Sequence, residues 1–257
     1  MSKKVVLAFS GGLDTSFCVP YLIEKGYEVH TIFVNTGGTP VVEEKKISKR
    51  ATELGAKKHL NVNVELPLWK QIIKPLIWSG SMYQDKYPAL CSDRYLIVTE
   101  AIKLCKKLNT KYISHGCTGM GNDQVRFDLS IQAFGNYKTI TPIREIQNKV
   151  SDVRGYEKKY LIERGFKVSS LHSKYSINEN LMGATVSGSE IDDWKEPSNE
   201  SYILCSTPDK YPSKPKKITI EFLKGEARKI NGKSIKGADL LRTLNKIGGK
   251  YGIGREI

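Results

Sequence analysis

The chain is short of acid: 27 Asp and Glu face 41 Lys and Arg, a formal net charge of +14 at pH 7. That excess attracts phosphorylated and acidic molecules. It lies mostly in lysines spread along the chain, as in "KKISKR" (45–50) and "KPKK" (214–217), with no interleaved arginines and aromatics. This is the pattern of a solvated basic surface, so a nucleic-acid partner is possible but not favoured. Cysteine is also scarce. Cys18, Cys91, Cys105, Cys117 and Cys205 are scattered, odd in number and without a C-x-x-C pair, which argues against a disulfide framework or zinc knuckle. No stretch approaches the ~18 uninterrupted apolar residues of a membrane span, and no hydrophobic leader with a cleavage site opens the chain. A soluble, cytoplasmic protein with no membrane partner is expected. The 257 residues suffice for one large domain or two unequal ones.

What is present begins with "KKVVLAF" (3–9), a β-branched-rich strand halted by Ser10-Gly11-Gly12. A helix is expected from Asp14, a good N-cap, to Gly26, with Pro20 kinking or shifting it. "YEVHTIFVNTGG" (27–38) reads as a second strand, "VVEEKKISKRATELGA" (41–56) as an amphipathic helix and "KKHLNVNV" (57–64) as a third strand. The alternation predicts an α/β domain with a parallel sheet, whose sites lie at the carboxyl ends of its strands. "DRYLIVTEAIKLCKKLN" (93–109) continues as helix, "TKYISHG" (110–116) as strand and "DVRGYEKKYLIERG" (152–165) as a helix capped by Gly165. From about Lys167 the pattern changes to a polar loop with glycines, then a hairpin region (216–235) and a last helix closed by Gly248-Gly249. We therefore expect two domains, 1–167 and a smaller α+β domain over 168–257.

"SGGLDTS" (10–16) lies between the first strand and first helix, so backbone N–H groups, hydroxyls and a helix N-terminus converge on one point suited to phosphate oxygens. Its glycines permit close approach, Ser10, Thr15 and Ser16 can donate, and Asp14 can hold Mg²⁺ directly or through water. No Gly-Lys-Ser/Thr follows and the pattern is not G-x-G-x-x-G. The loop resembles that of the PP-loop ATP pyrophosphatases, which grip the β,γ-pyrophosphate while a substrate oxygen attacks the α-phosphate.

A second constellation, "HGCTGMGNDQVRF" (115–127), packs three glycines with polar and charged side chains behind a strand. Taken with "VVLAFSGGLDTS", "KYSINENLMGATVSGSEIDD" and "LLRTLNKIGGKYGIGR", in this order along essentially the whole chain, it resembles the argininosuccinate synthase family. The resemblance implies a Rossmann-like PP-loop domain of the adenine nucleotide alpha hydrolase type. It also implies a ligase that adenylates the ureido oxygen of citrulline with ATP and Mg²⁺, then condenses it with aspartate and releases AMP and pyrophosphate.

Position by position, the resemblance implies ATP binding by Ala8, Phe9, Ser10, Gly11, Gly12, Leu13, Asp14, Thr15, Ser16, Val34 and Gly116. Asp14, also the Mg²⁺ ligand, and Ser16 are the catalytic candidates. Aspartate falls to Thr118, Asn122 and Asp123, and citrulline to Tyr87, Ser92, Asn122, Arg126, Ser176 and Thr185. Arg126 is the natural carboxylate clamp, because a guanidinium binds bidentately.

The chain departs from the family where an acidic residue after the second strand is replaced within Val34-Asn35-Thr36-Gly37-Gly38, where a customary lysine is Met120, and where "LCSDRYL" (90–96) replaces a "GTSIARP"-like segment. It also stops at Ile257, where family members continue into a tetramer-building arm. A fragment, a naturally compact synthase, and a relative acting on another ureido acceptor all fit that ending, and a monomer or dimer is expected. Two rivals remain: a tRNA-modifying PP-loop enzyme, whose thiolating form needs a nucleophilic and a resolving cysteine among Cys91, Cys117 and Cys205, and a non-catalytic ATP-binding protein.

Overall fold

Lys3 and Lys4 stay in solvent while Val5, Val6, Leu7 and Ala8 are buried, so β1 (Lys3–Ala8) is an inner strand covered on both faces. The computed structural model describes residues 2–86, 89–168, 175–193 and 195–255. From β1 the chain runs through α1 (Leu13–Glu24), β2 (Tyr27–Asn35), α2 (Val41–Glu53) and β3 (Lys58–Asn63). The helical segments α3 (Glu65–Leu68) and α4 (Lys74–Ser79) follow. Next come α5 (Arg94–Leu108), β4 (Tyr112–Ser114), α6 (Asn122–Ala133), β5 (Lys138–Ile140), α7 (Pro142–Gln147) and α8 (Val153–Glu163). The sheet order is β3-β2-β1-β4-β5 and every pairing is parallel, as the sequence predicts. Successive strands run outward on one side of β1 to β3, and the chain then restarts at β4 on the other side. The gap between the carboxyl ends of β1 and β4 is therefore the topological switch point.

One face of the sheet packs against α1, α7 and α8. Leu7 and Phe9 pack with Phe17 and Leu22 of α1, Ile143 and Ile146 of α7, and Leu161 of α8. Phe17 meets Tyr160 edge-on at 4.8 Å, and Tyr160 donates to Glu24 Oε2 at 2.7 Å. Full burial of each such side chain stabilises the fold by roughly 1.5–3 kcal/mol, so α1 and α8 are held firmly against the sheet edge that carries the glycine loops.

The chain divides into two interleaved units, Met1–Asn35 with Thr39–Asn63 and Asp93–Ser173, and Thr36–Gly38 with Val64–Ser92 and Lys174–Ile257. The carbonyl of Thr36 accepts from the Leu181 N–H at 3.0 Å, Lys74 pairs with Glu226 at 2.6 Å, and Trp78 Nε1 donates to the Gly225 carbonyl at 3.0 Å. The second unit also holds the hairpin β6 (Ser176–Asn180) and β7 (Gly183–Ser187), the antiparallel β8 (Ile220–Leu223), β9 (Glu226–Ile230) and β10 (Lys233–Ser234), and α9 (Gly237–Lys250). Among the described residues no helix is long and apolar enough to cross a membrane.

Four local expectations change. α1 begins at Leu13 with Gly12 at its N-cap and no side-chain cap, so Asp14 sits inside the first turn. Pro20 lies within α1 as a buried residue of one continuous helix. The polar stretch after residue 167 forms the β6–β7 hairpin, which its half-exposed "SINEN" and "GATVS" strands conceal. α9 runs through Gly248-Gly249 to Lys250. A Cβ on Gly249 would lie 2.2 Å from the Leu204 carbonyl oxygen, so this glycine serves a close backbone approach rather than a cap. Gly252, at φ +69°, follows the helix end.

Candidate active site

Phe9 continues β1 by donating to the Ile32 carbonyl at 2.8 Å, after which Gly11 turns the chain at φ +79°. Ser16 N–H makes an early helical bond of α1 to Gly12 O at 2.9 Å. Because Gly12 brings no capping side chain, the N-terminal turn of α1 presents its dipole and its N–H groups without a protein acceptor from the N-cap. The hydroxyls are loosely engaged: Ser10 Oγ to Thr15 Oγ1 at 3.2 Å, Thr15 Oγ1 to Gly12 O at 3.4 Å, and Ser16 Oγ to Gly11 O at 3.4 Å. Long contacts of this kind are readily exchanged for an incoming anion. Arg50 of α2 reaches the loop with Nε 3.4 Å from Ser16 Oγ, a cation the sequence reading missed. Ala8 pairs in register with Ile32, and Val34 near the end of β2 is buried.

The loop after β4 meets this one directly. A Cβ on Gly116 would lie 2.9 Å from Thr15 Cγ2 and 3.3 Å from Thr15 N, so only glycine allows the two backbones so close. The loop is braced from below. His115 Nδ1 accepts from the Cys117 N–H at 3.2 Å, which leaves Nε2 to donate to Asp128 Oδ1 at 3.3 Å. Burial keeps His115 below its ordinary range, and the His115 hydrogen bond holds Asp128 below its own. Arg144 donates to Asp128 Oδ2 at 2.8 Å, and Gln147 accepts from the Gly119 N–H at 2.6 Å. Gln124 donates to Gly119 O at 2.6 Å, and Thr118 Oγ1 to Met120 O at 2.8 Å. Gly121, at φ +103°, then starts α6.

The first turn of α6 holds Asn122, exposed, and Asp123, whose two oxygens are held by different arginines. Arg94 donates to Oδ2 at 2.9 Å and Arg126 to Oδ1 at 3.3 Å. Of the residues that sequence reading grouped here, Asp123 and Arg126 are joined by this ion pair, while Thr118 bonds within its own loop to Met120 O. It missed Arg94, Asp128, Arg144 and Gln147, whose roles depend on partners distant in the chain.

Asp14, half-buried, lies beside the fully buried carboxyl of Glu157 on α8. Burial raises Asp14 above its usual range, while Arg154 draws it down. Glu157 is fully buried and neither oxygen has a hydrogen-bond partner of good geometry. It is pushed up to about 9, first by burial and then by Asp14. Two carboxyls placed side by side suit a hard cation. Among the described residues no group of three or more His, Cys, Asp or Glu could hold a metal ion. Because Glu157 binds its proton more tightly folded than unfolded, its contribution is full below about 4.5 and is lost as pH rises through about 9. Without Mg²⁺, thermal stability is expected to fall over this window by up to ~1.4 kcal/mol per pH unit. Glu157→Gln should flatten the fall in a pH series of melting curves.

The remaining candidates lie in the second unit. β6 pairs Ser176 with Ser187 and Asn178 with Thr185, so Ser176 and Thr185 share one hairpin face. Ser92 donates to Ala89 O at 2.6 Å, and Tyr87 lies outside the described residues. Asn35, standing where an acid is customary, donates to Glu44 and so brings a carboxylate beside that strand end. Burial pushes the Cys117 thiol up to about 12 and also raises Cys205, away from the lowered range of a reactive thiolate.

A family model described as "Arginosuccinate synthase N-terminal HUP domain" matches residues 4–163, and one described as "Arginosuccinate synthase C-terminal domain" matches residues 175–256. An argininosuccinate synthase of Xanthomonas campestris pv. campestris is 50% identical over 256 residues, covering 100% of this chain and 64% of that protein. That of Xylella fastidiosa shows the same identity and the same coverage of both chains. That of Hyperthermus butylicus is 37% identical over 98% of this chain and 63% of its own length. The chain thus spans less than two thirds of the length of these relatives.

Proposed function

The chain belongs to the argininosuccinate synthase family, and we propose that it adenylates the ureido oxygen of citrulline and condenses the product with aspartate. The observation that carries the reading is the direct seating of Gly116 on Thr15 at the switch point, which joins a phosphate loop to an amino-acid-binding loop. ATP lies with its β,γ-phosphates over residues 10–16, where the α1 N-terminus and the hydroxyls of Ser10, Thr15 and Ser16 receive the oxygens. Asp14 would hold Mg²⁺, whose charge would offset that of the leaving pyrophosphate.

Arg126 clamps a carboxylate of citrulline with Asn122 beside it, and the family resemblance assigns Tyr87, Ser92, Ser176 and Thr185 to the same substrate. The ureido oxygen displaces pyrophosphate from the α-phosphorus; the P–O bond formed replaces the P–O bond broken. Thr118, Asn122 and Asp123 hold aspartate, whose amine adds to the activated carbon and expels AMP. Holding the three reactants together replaces a dilute encounter with an oriented one.

Pyrophosphate release from ATP, Mg²⁺ and aspartate should depend on citrulline. Release stimulated by tRNA instead would overturn the reading, and binding of ATP without turnover by any acceptor would favour the non-catalytic one.

A further inference from the structure

Asp123 opens α6, where a carboxylate left to itself would rotate freely, yet a substrate ammonium needs it fixed. Its Oδ2 is taken by Arg94 at 2.9 Å. The same guanidinium uses its other terminal nitrogen on Asp93 Oδ1 at 2.8 Å. The Arg94 side chain is 7% exposed and that of Asp93 1%, so the fork is pinned inside the fold. Behind it α5 is anchored by buried Leu96, Val98, Ala101 and Ile102. Oδ1 points the other way, to Arg126 at 3.3 Å, and both of these side chains are partly open at 30% and 23%.

Asp123 is thus held tightly from the core side and loosely from the solvent side. A planar guanidinium fixed between two carboxylates sets the plane of the second, which a lysine's single point charge cannot do. The loose pair is the one a substrate can open: its ammonium takes Oδ1 and its neighbour's carboxylate takes Arg126.

Resting on the function proposed above, we infer that Arg94 is a positioning residue that orients the Asp123 carboxylate for the ammonium group of the aspartate substrate. It touches no substrate itself. Asp93 acts one step further back, by fixing Arg94.

The test compares wild type, Arg94→Lys and Asp93→Asn by steady-state pyrophosphate release and by calorimetric titration of aspartate. Arg94→Lys should raise the KM for aspartate about tenfold or more and leave that for ATP within about twofold, and Asp93→Asn should move the same parameter less. If Arg94→Lys does not fold, Asp93→Asn carries the test through the same split. Equal rises in both KM values, or a lower melting temperature with an unchanged aspartate KM, would reduce Arg94 to an ordinary ion-pair partner and overturn the inference. If wild type itself fails to bind aspartate, the proposed function falls and the inference with it. If wild type binds aspartate and the variants bind it equally well, the inference alone falls.

Discussion

Asp14→Asn is expected to lose turnover by ~10³-fold or more while melting a few degrees higher than wild type in Mg²⁺-free buffer at pH 8. The loss follows from removing the one charged oxygen donor in the phosphate loop, an effect on the order of the 3–4 kcal/mol seen when a preorganised electrostatic group is deleted. The gain follows from the pairing of the half-buried Asp14 carboxyl with the fully buried one of Glu157. Asp14 is one of the groups that raises Glu157, and both bear a burial penalty. A neutral amide carries no desolvated charge and no longer forces Glu157 to keep its proton, giving roughly 1–2 kcal/mol and hence the higher melting temperature. Stability bought down at a site that needs charge is the signature of function rather than of packing. Differential scanning calorimetry beside a pyrophosphate assay checks both halves; a variant that is both active and more stable would remove Asp14 from the chemistry.

Gly116→Ala should weaken ATP binding by about 10–100-fold, since the added methyl collides with Thr15 Cγ2 at 2.9 Å and crowds Thr15 N at 3.3 Å. Overpacking of this size costs roughly 1–3 kcal/mol, and the loop that gives way is the one proposed to hold phosphate. The collision has two parts, and only one is removable. Thr15→Ser deletes the Cγ2 methyl and keeps the hydroxyl, so the double variant Gly116→Ala with Thr15→Ser should recover part of the affinity but not all. Nucleotide titration of the four proteins forms a double-mutant cycle. Strict additivity would contradict the close seating of the two loops.

The fold was legible where burial and turns are local. "KKVVLAFSGG" announces an inner strand and a turn because its apolar run ends on glycines, and β2, α2 and α5 follow from plain periodicity. The β6–β7 hairpin was hidden because its half-exposed strands never alternate cleanly. Gly249 looked like a helix stop because its real partner, the Leu204 carbonyl, is supplied by a distant loop. The same division runs through the site. The glycine loops could be read directly, since strand ends need glycine where backbones approach an anion. The braces on those loops could not: Arg94 with Asp123, Arg144 with Asp128 and Asp14 with Glu157 pair only after helices from different parts of the chain converge.

The central claim is that an oxygen of citrulline attacks the α-phosphorus of ATP. Citrulline carrying ¹⁸O in its ureido group, incubated with the protein, ATP, Mg²⁺ and aspartate, tests it most directly. When AMP is expelled the label must leave with it, so mass spectrometry is predicted to find one ¹⁸O in AMP for each turnover and none in pyrophosphate. Unlabelled AMP, or label in a phosphate released with ADP, would contradict the account.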